Sequence, residues 1–157
     1  MFVLLRQLDL VRRAAALRRP ERARSLAVRH VDAGSCNACE HELTAASSPY
    51  YDVQRFGIDV VASPRHADVL LITGPVTDHM REPLLAAYAA MPEPRLVAAL
   101  GDCALGCGVL GSPDSITGAV ADVLAVDIRI PGCPPPPDVI ADRLLAALDA
   151  GAQLRAR

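Results

Sequence analysis

The 157-residue sequence contains no lysine and no tryptophan, and aromatic residues make up only 3% of it. A core without bulky rings has to be built from Ala, Val, Leu and Ile, which suits helices packed closely on a sheet. Arginine alone carries the basic charge, and 16 basic against 18 acidic residues leave a formal net charge of -2. That balance lacks the positive excess by which a protein neutralises phosphates, so no nucleic-acid partner is expected. No apolar run reaches the roughly 20 residues of a membrane-spanning helix. The opening MFVLLRQLDLVRRAAALRRPERARS does not read as an export signal, because its arginine pairs at 12–13 and 18–19 precede no adequate apolar stretch. A phosphate loop and a nucleophile elbow are absent too. What is plentiful is apolar residues, at 52%, enough at this length for one domain with a real core.

Residues 2–18 place Leu4, Leu8, Val11 and Ala15 at helical spacing among Arg6, Arg12, Arg13, Arg18 and Arg19, predicting a basic amphipathic helix. Such a helix packs on the domain or a partner subunit, or lies on an anionic membrane surface. Residues 1–24 therefore form an expected docking segment, closed by Pro20, and residues 25–157 the domain itself. Within it, apolar runs at 25–31, 56–61, 67–74, 95–101 and 125–132 read as strands, several too uniformly apolar to have a wet face. Helical patterns fall between them, at about 38–47, 78–91, 115–124 and 137–150, with Pro83 near the start of one and Asp138 in the first turn of another. Strands alternating with helices predict an α/β fold with an open, mostly parallel sheet covered by helices on both faces.

The five cysteines are an odd number, which fits metal binding in a reducing compartment better than a disulfide framework. Cys36 and Cys39 follow the first predicted strand, Cys103 follows the fourth and Cys133 the fifth. In an open parallel sheet the carboxyl ends of the strands form the ligand edge, so four scattered thiols can converge there. Glycines flank them in AGSC, GDCALGCG and PGCP, letting backbone approach a bulky group and direct N–H groups at sulfur. The tract Pro134–Pro137 after Cys133 cannot join a hydrogen-bond ladder, and it stiffens the loop that presents that cysteine. One local C-x-x-C pair joined to two isolated cysteines favours an iron-sulfur cluster. A zinc site and inert buried thiols remain as alternatives.

At these residues the chain resembles the 20 kDa subunit family of respiratory NADH:quinone oxidoreductase, shared with the small subunits of nickel-iron hydrogenases. GSCNACEHEL, TGPVTDHM, GDCALGCG and PGCPPPPD match its motifs in order over about residues 30–150. The resemblance implies a flavodoxin-like domain whose Cys36, Cys39, Cys103 and Cys133 hold one 4Fe-4S cluster beside a large catalytic subunit. The spacing Cys36-Asn37-Ala38-Cys39 is similar to hydrogenases and the formate hydrogenlyase-like group, whereas the respiratory enzyme typically has adjacent cysteines there.

The function this implies is an electron-transfer subunit of a membrane-associated hydrogenase complex, an oxidoreductase. The alternatives are the equivalent subunit of a complex I-like quinone oxidoreductase and, from another class, a zinc-stabilised binding module without redox function. Expected partners are a hydrogenase-like or complex I-like large subunit, a ferredoxin-like iron-sulfur subunit and an integral membrane subunit, with the chain cytoplasmic and peripheral at the inner face of the cell membrane. Cys107 departs from the family loop by replacing a glycine; it could stand in for Cys103 as ligand, protect the cluster or simply pack, and packing is favoured because Cys103 already holds the motif position. Glu42, three residues after Cys39, matches an acidic family position and could carry protons or simply bind at a helix start or interface. Glu40 and His41 read as surface or interface residues, and His30, His66 and His79 show no metal-ligand spacing. Thr73, Gly74 and Pro75 end a strand at the cysteine edge, where contact with the cluster surroundings and simple turn formation would both explain them.

Overall fold

Runs such as VLLIT and LVAAL leave no polar face, and they become the centre of a sheet. The computed structural model describes residues 25–109 and 115–154. Its strands are β1 (Leu26–Asp32), β2 (Ile58–Val60), β3 (Val69–Thr73), β4 (Val76–Thr77), β5 (Leu96–Leu100), β6 (Ile116–Gly118) and β7 (Ile128–Ile130). The helices are α1 (Ala38–Ala46), α2 (Asp78–Ala89) and α3 (Pro137–Leu154). The N-terminal segment read as an amphipathic helix lies outside the described residues.

Five strands pair in the order β2-β1-β3-β5-β7, all parallel. The chain starts near the middle, steps outward to β2, then crosses back to β3 and onward, so the switch point falls between β1 and β3. This is the flavodoxin-like order that the resemblance implies, within the open parallel sheet that the alternation of strands and helices predicts. Register aligns Asp32 with Thr73, Thr73 with Leu100 and Leu100 with Ile130. These four residues form one row along the carboxyl edge, and the cysteine loops leave from that row.

Alternate side chains supply two cores. Val28, Val69, Leu71, Ala98 and Leu100 face α1 and α3, joined by Ala46, Ile140 and Leu144. Leu70, Ile72, Val97 and Ala99 face the other way, with Leu84 of α2 and Val120. Each fully buried Val, Leu or Ile contributes about 1.5–3 kcal/mol of transfer free energy. The continuous apolar runs of β3 and β5 thus bind both helical layers.

Two local expectations differ. Residues 115–124 form no α-helix: Ile116–Gly118 pairs antiparallel with β4, and Val120–Asp122 is a short 3-10 turn. The spacing of Ile116, Val120 and Val123 imitates a helix, but the Val120 N–H donates to the Ala104 carbonyl at 3.0 Å and the Asp122 carboxylate accepts the Ala119 N–H at 2.8 Å. Backbone donors committed in this way cannot build a helical ladder. Pro83 lies in the second turn of α2, not near its start, with an exposed side chain. Among the described residues no helix is long and apolar enough to cross a membrane.

Candidate metal centre

Each cysteine loop is shaped by hydrogen bonds available just past its strand. After β1, Asp32 Oδ1 accepts the N–H groups of Gly34 and Ser35 at 2.9 and 2.7 Å, turning the chain sharply. Ser35 Oγ accepts the Asn37 N–H at 3.1 Å, and Asn37 adopts a left-handed φ of 68° before α1 begins. Cys36 therefore sits on the bend and Cys39 in the first turn of the helix.

The other two loops are stitched to each other. The Asp102 N–H donates to the Gly132 carbonyl, and the Gly132 N–H donates to Asp102 Oδ1, both at 2.8 Å. Cys103 and Cys133 each stand one residue beyond this clasp. Pro135 packs so closely over Gly132 that a Cβ added there would lie 2.6 Å from its Cα. The proline tract then becomes α3 at Pro137, an N-terminal position where the missing N–H costs little.

Cys36, Cys39, Cys103 and Cys133 line one small, open hollow, together with Gly74, Asp102 and Pro134. All four cysteines singled out in the sequence are thus brought together from three loops. Of the neighbouring glycines, Gly101 and Gly108 lie against thiols: a Cβ on Gly101 would be 2.6 Å from Cys39 Sγ, and one on Gly108 would overlap Cys103 Sγ. Gly34 and Gly132 instead make room for Thr77 and Pro135, so glycine serves loop packing there.

The thiols also sense one another. Burial pushes Cys39 up to about 12, reinforced by Glu40 and then by Cys36, Cys103 and Cys133. Cys133 is likewise raised, by loss of hydration and then by Cys103, Asp102 and Cys36. Cys39 and Cys133 therefore resist ionisation until a cationic centre compensates them. Among the described residues no three His, Cys, Asp or Glu side chains stand close enough to share a single metal ion. What the four cysteines share is the hollow between them.

Cys107 is exposed and off this hollow, its Sγ 3.5 Å from the Asp102 carbonyl. Glu42 is half-buried on α1, and it does not line the hollow either. His41 is exposed as expected, but Glu40 is turned inward and bound to Thr73 and His30. Sequence reasoning also missed Asp102. Its signal was an acid directly before a cysteine in a strand-end loop, but its partner, Gly132, is 30 residues away.

Fold and hollow together define an α/β domain with a thiol-rich ligand edge. Comparison makes the class specific: the NADH ubiquinone oxidoreductase 20 Kd subunit family matches residues 36–147, and the chain belongs to this family. The Pyrococcus furiosus protein "Probable membrane-bound hydrogenase subunit mbhJ" is 42% identical over 131 residues, covering 83% of this chain and 78% of the relative. Formate hydrogenlyase subunit 7 of Escherichia coli is 46% identical over 114 residues, covering 73% of this chain but only 45% of that protein. Among solved structures, a chain of the archaeal membrane-bound sulfane sulfur reductase superposes with a TM-score of 0.69 at 29% identity, over 83% of this chain and 73% of that one. A chain of an NAD+-reducing NiFe hydrogenase shares the fold, with a TM-score of 0.64 at 20% identity, over 81% and 93%.

Proposed function

We propose that this chain is the electron-transfer subunit of a membrane-associated hydrogenase complex, holding one 4Fe-4S cluster on Cys36, Cys39, Cys103 and Cys133 beside a large catalytic subunit. The observation that carries this reading is the convergence of four thiols from three loops on one hollow. Four cysteine thiolates are the donor set such a cluster takes, and one local C-x-x-C pair joined to two isolated cysteines suits a cluster better than structural zinc, which commonly uses local pairs. When bound, the cluster takes up and releases single electrons. The chain's own part is to hold the thiols at fixed separation, through the Asp32 turn and the Asp102–Gly132 clasp, and to leave room at Gly101 and Gly108.

Kinship with hydrogenase subunits and the spacing of Cys36 and Cys39 favour hydrogenase. The family description and the likeness to a respiratory complex support a second reading, the equivalent subunit of a complex I-like quinone oxidoreductase. In either setting the partners are a large catalytic subunit, a ferredoxin-like iron-sulfur subunit and an integral membrane subunit. Residues 1–24 serve as the docking segment and 25–157 as the cluster domain, peripheral at the cytoplasmic face. Glu42, about one helical turn from Cys39, is the carboxylate through which protons would pass towards the large subunit.

The test is anaerobic purification of the native complex with iron, acid-labile sulfide, nickel and zinc quantified. Iron with sulfide is expected, and it is lost or altered, along with the electron paramagnetic resonance signal, on Ala replacement of any of the four cysteines but not of Cys107. Zinc without iron refutes the cluster. Nickel in the large subunit separates hydrogenase from the quinone-reducing reading.

A further inference from the structure

On the sheet face covered by α1, the apolar pattern breaks at the carboxyl edge. Val28 of β1 and Val69 and Leu71 of β3 are fully buried there. Two residues along each strand, where the period of two calls for another apolar side chain, stand His30 and Thr73. Thr73 is 0% exposed and the only buried polar residue of the described core.

Both residues turn to Glu40. The Thr73 hydroxyl donates to Glu40 Oε1, and His30 Nε2 lies 2.9 Å from Thr73 Oγ1 and 3.5 Å from Glu40 Oε1. With the Thr73 proton committed to Glu40, the hydroxyl oxygen accepts from His30 Nε2–H, so one directed chain runs His30 to Thr73 to Glu40. Glu40 Oε2 is buried and has no hydrogen-bond partner among the described residues. A carboxylate in the first helical turn gains from the helix dipole even when solvated, so the dipole does not account for an inward-facing acid with an unsatisfied oxygen. Glu40 directly follows Cys39 in the first turn of α1, so whatever fixes its side chain also fixes the turn that carries that thiol.

We propose that Glu40, clamped by Thr73 and His30, is a positioning residue for the cluster site: it locks the first turn of α1 to β1 and β3, directs the Cys39 thiol into the hollow, and lowers the reduction potential of the group held there. The inference rests on the cluster reading above. Negative charge beside a cluster opposes the arrival of an electron, which gives the direction of the effect. Thr73 acts through Glu40, and His30 through Thr73.

Three variants of the intact complex test this in redox titrations followed by electron paramagnetic resonance. Glu40→Gln keeps an oxygen for the Thr73 hydroxyl but removes the charge, and the midpoint potential should move upward. Thr73→Val keeps the shape and the charge but removes the hydroxyl, and the line shape should change. Thr73→Ser should restore it, a rescue that filling space alone would not require. If Glu40→Gln fails to assemble, the Val and Ser pair still reads the clamp. Midpoint and line shape unchanged in both Glu40→Gln and Thr73→Val overturn the inference while the cluster reading stands. A wild-type complex without iron and sulfide overturns that reading and this inference with it.

Discussion

Replacing Gly101 with alanine puts the packing of Cys39 at the rim of the hollow under direct strain. Gly101 follows β5 at a φ of 90°, on the left-handed side that costs an ordinary residue about 1–2 kcal/mol. The new Cβ would stand 3.5 Å from the Gly132 carbonyl, an ordinary contact, but only 2.6 Å from Cys39 Sγ. The sulfur can escape by turning off its preferred rotamer, at about 0.5–1.5 kcal/mol. Together these give a destabilisation of about 1.5–3.5 kcal/mol, which a domain of ordinary stability, about 5–15 kcal/mol, survives folded. Gly57→Ala is the control: Gly57 has a φ of 82° but precedes β2, at the opposite edge of the sheet from the cysteines. It should bear the backbone cost alone. Denaturant midpoints and iron per chain are the assays, and iron should fall in Gly101→Ala while remaining full in Gly57→Ala. Full iron and an unaltered cluster signal in Gly101→Ala would refute the placement of Cys39 against Gly101.

Asp102→Ala leaves the half-buried Gly132 N–H without its acceptor and should cost about 1–3 kcal/mol, with less iron retained. Asp102→Asn keeps an acceptor oxygen and should lose less; thermal unfolding and iron content that match wild type in the Ala variant would remove the clasp from the account. His30 is held below its ordinary 6.5, chiefly by burial, with Arg29 adding to this and Glu40 and Asp32 opposing it. Protonation therefore favours the unfolded chain, so this contribution to stability is present above pH 6.5 and is lost as pH falls through the lower folded value. Urea unfolding as a function of pH should show a flatter acid limb in His30→Gln, and an unchanged limb would count against it. Deleting residues 1–18, with their apolar stripe and arginines, should release the complex from the membrane fraction with its iron intact. Retention on the membrane would assign attachment elsewhere.

The elements that could be read from the sequence are those whose signal is local. β3 and β5 are short continuous apolar runs because both of their faces are covered, and the cysteines could be placed because each follows a strand that such a run reveals. β4 is two residues long, too short for any period, and residues 115–124 carried a helical spacing whose backbone donors are engaged by Ala104 and Asp122. The direction of Glu40 was hidden for a different reason. Neighbouring residues on a helix point about 100° apart, so burying Leu43 and Ala46 sets which way Glu40 faces, and that rotation is decided by packing on the sheet.

Spacing within the candidate site is set by pairings that no local window contains. The bonds that organise it join residues 30, 33 and 43 positions apart, and the loops leave one register row, Asp32, Thr73, Leu100 and Ile130, assembled from four strands. Local chemistry selects the donors, since a cysteine in a glycine or proline loop is recognisable wherever it stands. The parallel register then sets how far apart the donors are held. A one-residue slip of β7 against β5 would carry Cys133 about 3.3 Å along the strand direction and separate Asp102 from Gly132, although the sequence of every loop would be unchanged. The buried, uniformly apolar centre of the sheet therefore serves the thiols directly, because its packing holds the register on which the hollow depends.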